Sequence, residues 1–240
     1  MREKFEGIVL NIRKYNDRNI IVTAYSKNHG NISFISPTGS GKGAAVRRAH
    51  LQPLSYISSD ITYKPGADLN RLGSVSLCEV WNDIYFHPVK RLISFFISEF
   101  LYRFLKASME EPQLWDFIVD SIRLLDRMKK NISDFHIVFL ISLLHFSGIQ
   151  PDIKTYRNGY VFDYASGSFV HEQESKGPSL KGEEAYAVTW VSRINFSNIA
   201  KIKLSTNERR RLLSAILNYY SYHFPGLSGM KSLEILQEIQ

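Results

Sequence analysis

The spacing of the apolar residues changes once along this chain, near residue 81, and that change limits the folds available to it. Before it, short β-rich runs at residues 5–12, 19–25 and 32–35 are separated by turns of Asn, Asp and Gly, which is typical of strands. After it, apolar residues recur at a spacing of about 3.6, as they do in helices. The sequence therefore predicts an α+β protein with a β-rich beginning and a mainly α-helical remainder.

Five strands are predicted in the first 80 residues. Residues 51–57 and 71–77 supply the fourth and fifth β-rich runs. Because an open sheet exposes two edges and a closed one exposes none, we interpret residues 1–80 as an OB-like five-stranded β-barrel. We expect this barrel to be a nucleic-acid-binding domain.

Residues 81–240 are predicted to form a mainly α-helical domain. Pro88 and Pro112 each stand at the start of an amphipathic run, a position that proline favours in helices. Residues 135–146 are apolar on every side, which indicates a helix buried in the middle of the domain and ended by Gly148.

The rest of this domain is less regular. Residues 150–200 read as an irregular segment with a small β-hairpin insertion at 156–162. A further helix is predicted at 208–222, followed by a short amphipathic tail at 230–239.

Positive charge is concentrated in the predicted barrel. The chain has 30 Lys and Arg against 23 Asp and Glu, and residues 1–80 hold 11 of the former and 6 of the latter. A local positive field attracts polyanions, so nucleic acid is the first candidate ligand and an anionic membrane surface the second.

The single cysteine, Cys78, excludes an internal disulfide and a Cys-based zinc site, and it favours a reducing, cytoplasmic location. The most apolar stretch, residues 135–146, is shorter than the roughly 17–25 residues of a membrane span. The first ten residues show no apolar core typical of a signal peptide. We therefore expect no membrane partner.

The glycine-rich segment at residues 37–43 does not match a phosphate-binding P-loop. The position five residues before Gly41 is Ser36 rather than glycine, and Gly43 replaces the hydroxyl residue that would hold magnesium. The prediction is a flexible loop from which Lys42, Arg47 and Arg48 reach an external phosphate backbone. The alternative is a mobile, solvated connection.

Cationic and aromatic residues are interleaved along the predicted strands. Rings that stack on bases beside cations that follow phosphates are typical of a sequence-tolerant single-strand site. Taken singly, each cation could equally be a solvated surface charge, and many of the rings must belong to the core. The candidate DNA contacts outside the glycine-rich segment are Arg13, Lys14, Tyr15, Arg18, Lys27 and Lys64.

No set of catalytic residues converges in the sequence. The seven histidines include no His-Glu-x-x-His pair, and there is no Gly-x-Ser-x-Gly motif. Asp116 and Asp120 share a helical face with Arg123 and Arg127, which indicates a solvated salt-bridge face rather than an acid–base pair. The prediction is a protein that is not an enzyme and needs no cofactor.

Several short phrases together suggest a family. They are the opening residues 7–10, the turn at 13–17, the run 21–23, Gly30 with the strand after it, Lys42, and the segments 51–54, 99–102 and 231–236. In order and spacing the chain resembles the RecO family of bacterial DNA repair and recombination mediators.

The resemblance implies a protein that binds single- and double-stranded DNA and anneals complementary strands. It also implies action with RecR to load recombinase on DNA coated by single-stranded-DNA-binding protein, in a nucleoid-associated location. Many members carry a four-cysteine zinc module, whereas the corresponding stretch here, residues 156–170, has no cysteine. The resemblance is therefore to a lineage without the zinc ligands.

A site for the acidic, hydrophobic-ended tail of single-stranded-DNA-binding protein is expected to be an apolar cleft with a cationic rim in the helical domain. The candidate rim residues are Arg103, Lys106, Arg123 and Arg127. Two other functions stay open: a protein–protein adaptor with little DNA binding of its own, and a nuclease. The nuclease requires clustered carboxylates, which the barrel sequence lacks.

Overall fold

A computed structural model describes residues 1–39, 42–105 and 111–239, without the side chains of residue 42 and of residues 237–239. The chain divides into two compact units. The first consists of Met1–Met128 with Met230–Leu236, and the second of Lys129–Gly229 with the residues after Leu236. The predicted division of function at residue 80 stays a prediction, since the barrel and the next two helices share one unit.

The first unit begins with a closed five-stranded barrel, which confirms the predicted architecture. Its strands are β1 (Arg2–Lys14), β2 (Asn19–Ser26), β3 (Gly30–Pro37), β4 (Tyr56–Thr62) and β5 (Asn70–Leu77), in the order β1-β2-β3-β5-β4. The long strand β1 closes the barrel, because its first half pairs with β4 and its second half with β2. All neighbours are antiparallel except β3 and β5.

The barrel interior is filled by alternate residues of the strands, as expected for a period of two. This packing leaves the intervening residues on the outer wall. The buried interior residues include Phe5, Val9, Val22, Phe34, Ile57, Ile61 and Leu72.

Two predictions about the barrel were wrong. Residues 51–55 are not strand: Leu54 has a φ of 63°, which a strand cannot accommodate, and β4 starts only at Tyr56. Residues 42–50 are not a flexible loop but the helix α1 (Lys42–His50). The stretch after Gly43 is rich in alanine and arginine, both strong helix formers, and Ala44 is buried.

The first unit also contains the helices α2 (Pro88–Phe104) and α3 (Pro112–Arg127) and, up to Leu236, the helix α7 (Lys231–Ile239). The two prolines occupy the first turns of α2 and α3, as predicted. Lys90 of α2 is fully buried and donates to the Asp83 carboxylate at 2.6 Å and to the Asp126 carbonyl at 2.8 Å. The Asp126 carboxylate in turn accepts the backbone N–H groups of residues 82–84, so the connection between barrel and α2 is held by α3.

The second unit contains α4 (Phe135–Ser147), α5 (Gly182–Val191) and α6 (Thr206–His223) around a small sheet of β6 (Val161–Asp163), β7 (Ser168–Val170) and β8 (Ser179–Leu180). The helix α4 is buried at every residue from Phe135 to Ile141 and ends at Gly148 with a φ of 71°, which agrees with the predicted buried helix. The hairpin is formed by β6 and β7 rather than at residues 156–162, because the turn that reverses the chain lies after Asp163.

Candidate nucleic-acid interface

The turn between β1 and β2 presents an exposed ring between two exposed cations. Tyr15 is 56% exposed, and Arg13 and Arg18 are exposed on either side of it in the sequence. Within the described ranges, neither arginine side chain makes an ion pair. The structure therefore brings together three of the residues predicted from sequence, and the charges of the two arginines are open to solvent.

The backbone of this turn is fixed by local hydrogen bonds. The Asn16 side-chain oxygen accepts from the Arg18 backbone N–H at 2.9 Å, and Tyr15 N–H donates to the Asn19 carbonyl at 3.0 Å. The Thr38 N–H after β3 donates to the Arg18 carbonyl at 2.8 Å, which anchors the turn to the neighbouring strand. A ligand that binds here would meet a turn already ordered, so little conformational entropy would be lost.

Other predicted cations are already engaged. Lys14 pairs with Asp17 at 2.7 Å, and Lys27 pairs with Asp116 of α3 at 3.2 Å. Lys27 follows β2 instead of lying on it, because the strand ends at Ser26. Arg47 donates to the Ser36 hydroxyl at 2.7 Å, so it holds α1 against β3 instead of extending from a loop.

Two further predicted cations are exposed and make no ion pair within the described ranges. Arg48 lies on α1, so its predicted place in a loop was wrong, and Lys64 lies between β4 and β5. The side chain of Lys42 lies outside the part that the structure describes.

Most of the barrel rings belong to the core or to fixed contacts. Tyr25 and Phe34 are fully buried. Tyr56 donates to Glu6 at 2.9 Å, and its burial together with that carboxylate raises the pKa of its hydroxyl above the usual range. Tyr63 packs against His29 with ring centroids 4.7 Å apart.

Three cations on the outer barrel wall were missed by the sequence analysis: Arg2, Lys4 and Arg71. All three are exposed, and by strand register they share one face of neighbouring strands. The signal was present in β1, where Arg2, Lys4 and Glu6 alternate with residues on the opposite face. Arg71 could not be placed beside them without the barrel order.

A groove of about 510 Å³ lies beside α2 in the first unit. Its apolar lining includes Leu10, Ile12 and Phe95, and Phe95 is 46% exposed. Two cations, Arg103 and Lys231, also line it. The structure thus places one of the four predicted rim residues at an apolar groove.

Glu99 fixes the polar side of this groove. Its carboxylate pairs with Arg103 at 2.7 Å and accepts the backbone N–H of Ser232 at 2.9 Å and its hydroxyl at 2.7 Å. Burial would raise the pKa of Glu99, but the hydrogen bonds from Ser232 and Arg103 outweigh it and lower that pKa. The start of α7 is therefore attached to α2 through an ionised carboxylate.

The remaining predicted rim residues do not join that groove. Arg123 pairs with Glu79 through two nitrogens and with Asp120 at 2.9 Å, and its hydrogen bond lowers the pKa of Glu79. Arg127 is exposed at the end of α3, and Lys106 lies outside the described residues. One face of α3 therefore carries a network of salt bridges, in agreement with the salt-bridge face predicted from the sequence.

The stretch that corresponds to the zinc module does not fit a metal. No group of three or more His, Cys, Asp or Glu is placed to hold an ion in the described part of the chain. At its centre the Asp163 carboxylate, in a residue 3% exposed, accepts four hydrogen bonds from Ser166, Ser175 and Lys176. A carboxylate at the end of β6 therefore joins the β6–β7 turn to the segment before β8. Separately, no helix among the described residues has the length and apolarity needed to span a bilayer.

These features define the class of protein. Its chain begins with a closed OB-type barrel that carries an exposed cationic turn, and it continues with helices and a small separate sheet. Comparison with known families agrees. Residues 1–81 match the family model described as Recombination protein O N terminal, and residues 88–234 match Recombination protein O C terminal. The chain belongs to the RecO family of DNA repair proteins.

Similar proteins include several named DNA repair protein RecO. That of Phocaeicola vulgatus is 34% identical over 239 residues, covering 100% of this chain and 99% of the relative. That of Bacteroides fragilis is 32% identical over 240 residues with the same coverage. That of Porphyromonas gingivalis is 32% identical over 239 residues, covering 97% of each chain.

Proposed function

We propose that this chain is a DNA-binding, strand-annealing recombination mediator that acts with RecR and helps to load recombinase on DNA coated by single-stranded-DNA-binding protein. It does so without catalysing a reaction of its own, in the cytoplasm and at the nucleoid. The observation that carries the proposal is the ordered β1–β2 turn, on which Tyr15 is exposed and Arg13 and Arg18 have no ion pair within the described ranges.

The mechanism follows from the chemistry of that turn. Arginines that neutralise phosphates release the counterions condensed on the strand, which gives binding that depends on salt and not on sequence. An exposed tyrosine offers a flat face on which any base can stack. Neutralised strands repel each other less, and bases not held by hydrogen bonds stay free to pair with a complement.

The test is fluorescence anisotropy of a labelled single strand at several salt concentrations. Arg13→Ala with Arg18→Ala should lower the slope of log affinity against log salt by about 1.4, since each single-strand phosphate contact contributes about 0.7. Tyr15→Ala should weaken binding at every salt by about 1–3 kcal/mol, the range for one stacked base.

The matched control is Lys154→Ala with Lys203→Ala, which removes two exposed charges from the second unit. It should leave both the slope and the affinity unchanged. If the turn variants behave like this control, the turn is not the DNA site. If the unaltered protein binds no strand at low salt, the proposed function itself fails.

We propose further that the groove beside α2 receives the tail of single-stranded-DNA-binding protein. An acidic peptide with an apolar end matches a groove whose lining includes the apolar residues Phe95 and Ile12 and the cation Lys231. Because Arg103 is already paired with Glu99, Lys231 is the cation available to the acidic part of the tail within the described lining.

A labelled tail peptide tests this assignment. Phe95→Ala should weaken peptide binding at least about fivefold, since buried aromatic anchors contribute more than about 1 kcal/mol. Tyr186→Ala is the control, because Tyr186 is an aromatic residue 55% exposed in the second unit and does not line the groove. Equal affinities of the two variants would move the tail site elsewhere.

The alternative function, an adaptor with little DNA binding, is favoured by one observation. Val80 and Phe86, in the connection before α2, are 65% and 80% exposed, and a partner that covered both would bury apolar surface that now faces solvent. The tail at 230–239 gives the adaptor function weaker support, because Met230 and Leu236 are buried and therefore not exposed to a partner. If the chain binds RecR but does not bind DNA at physiological salt, the adaptor function is supported and the DNA-binding mediator function is wrong.

A further inference from the structure

A cleft of about 620 Å³ opens on the outer wall of the barrel, where β1, β4 and β5 lie side by side. Arg2, Lys4 and Arg71 line it, and we call these three residues the Arg2 track. None of the DNA contacts predicted from the sequence lines this cleft.

Strand register places the three cations at the corners of a triangle, because Arg2 and Lys4 follow β1 whereas Arg71 lies across the sheet from Arg2. The Cα atom of Arg2 pairs with that of Thr62, and Thr62 pairs with Arg71, so all three residues point to the same face. With about 4.8 Å between strands and about 3.3 Å per residue, the backbones of Arg2 and Arg71 lie roughly 10 Å apart and those of Arg2 and Lys4 roughly 7 Å apart. Charges spread in this way fit an extended polyanion better than a small one.

The backbone of the cleft has a specific construction. The β4–β5 register shifts between Ser59 and Ile61, and a Cβ atom on Gly73 would lie 2.4 Å from the Asp60 carbonyl oxygen. Only glycine tolerates so close an approach, so no side chain at position 73 fills the cleft beside Arg71. Bulges and strand glycines of this kind are common where a ligand approaches the backbone.

The charges of the track are available. Within the described ranges Arg2, Lys4 and Arg71 make no ion pair, unlike Lys14 and Lys27. The lining also holds two carboxylates, Glu3 and Asp60. The Glu3 carboxylate lies 3.4 Å from His29 Nε2, on the opposite face of β1 from the track, which leaves Asp60 as the opposing charge on the track side of the cleft lining.

We propose that the Arg2 track is a second binding site for the phosphate backbone of a nucleic-acid strand, separate from the β1–β2 turn. Register places Arg71 beside Ile35, Ile35 beside Ile21, and Ile21 beside Arg13, so two apolar positions separate the track from the turn. One barrel then holds two strands at once, as annealing requires. This inference rests on the proposed function.

The experiment counts bound strands. An oligonucleotide of about 6 nucleotides, near the lower end of the roughly 4–16 that an OB fold covers, is titrated against the full chain at low salt. We expect two oligonucleotides per unaltered chain and one for Arg2→Ala with Arg71→Ala, with slower annealing of complementary strands. The control pair Lys154→Ala with Lys203→Ala should keep both.

Each result bears on a separate claim. A single oligonucleotide per unaltered chain, or an unchanged count in the Arg2 and Arg71 variant, overturns the second site while the turn site stands. No binding by the unaltered chain overturns the proposed function as well. If vesicles containing phosphatidylserine bind the chain and the Arg2 and Arg71 variant loses only that binding, the track is a membrane site and the nucleic-acid assignment is wrong.

Discussion

Asp163 offers the sharpest test of how the small sheet is held together. Its carboxylate accepts from Ser166 N–H at 2.9 Å and from the Ser166 hydroxyl at 2.8 Å through one oxygen. Through the other it accepts from the Ser175 hydroxyl at 2.8 Å and from Lys176 N–H at 3.2 Å. The variant Asp163→Asn keeps the shape but replaces one acceptor oxygen by an NH₂ group that cannot accept.

The magnitude follows from those contacts. Two of the four hydrogen bonds lose their acceptor, and hydrogen bonds to a charged group contribute about 1.5–3 kcal/mol each. Since the two losses share one site and are not additive, we expect the free energy of unfolding to fall by about 3 kcal/mol. Asp152→Asn is the matched control, because its side chain is exposed and, among the described residues, accepts a hydrogen bond from Lys154 N–H alone, so it should lose about 1 kcal/mol or less.

The assay is urea unfolding of the full chain, combined with hydrogen exchange over residues 161–180. A loss of about 3 kcal/mol should speed exchange there by roughly 100-fold, at 1.4 kcal/mol per tenfold. Burial raises the pKa of Asp163, but the hydrogen bonds from Ser166 and Ser175 outweigh it and lower that pKa. The stabilisation is therefore present above the ordinary carboxyl range, near pH 4, and is lost as the pH falls through the folded value. Equal effects of the Asp163 and Asp152 variants would refute this reasoning.

Three further outcomes are expected. Lys90→Met should lower the free energy of unfolding by about 3 kcal/mol in urea, because it removes two hydrogen bonds of the buried Lys90 ammonium, one to the half-buried Asp83 carboxylate and one to the Asp126 carbonyl; a loss below about 1 kcal/mol would contradict this. Glu99→Gln should expose the start of α7 to limited proteolysis at neutral pH. Because the folded pKa of Glu99 is lowered, the unaltered chain should become equally sensitive only when acid protonates Glu99. Unchanged cleavage of the variant would argue against the Glu99 contact. Burial and, second to it, the charge of Glu6 raise the pKa of Cys78 to about 11. Alkylation of Cys78 at pH 8 should therefore be roughly 100-fold slower than in the urea-unfolded chain. Equal rates would show that the thiol is exposed and its pKa is not raised.

The barrel was predictable because its strands carry their period in the sequence and closure follows from the cost of exposed edges. The fourth strand was predicted to begin at residue 51 instead of Tyr56, because Leu51 and Leu54 are apolar core residues outside any strand. Apolarity alone cannot distinguish a buried turn from a strand. The helix α1 was missed because the glycines before it dominated the interpretation of a segment whose later residues favour helix.

The candidate site was predictable only in part, for a physical reason. Residue type shows that a side chain is cationic, but whether the charge is open depends on partners far away in sequence. Lys27 is neutralised by Asp116, 89 residues later, and Arg123 by Glu79, 44 residues earlier. That Arg13 and Arg18 are exposed could be predicted, because the residues around them are close in sequence. The position of Arg71 beside Arg2 could be found only from the strand order.

The strand β1 carries residues of both proposed DNA sites, Arg2 and Lys4 at its beginning and Arg13 at its end. The two sites are therefore chemically separable but share one structural support. At Gly7, between them, an added Cβ would lie 2.5 Å from the Phe5 ring and 3.0 Å from the Tyr25 carbonyl. Gly7→Ala should thus weaken binding at both sites together and slow annealing more than either surface variant, whereas loss at one site only would show that the two ends of β1 are held independently.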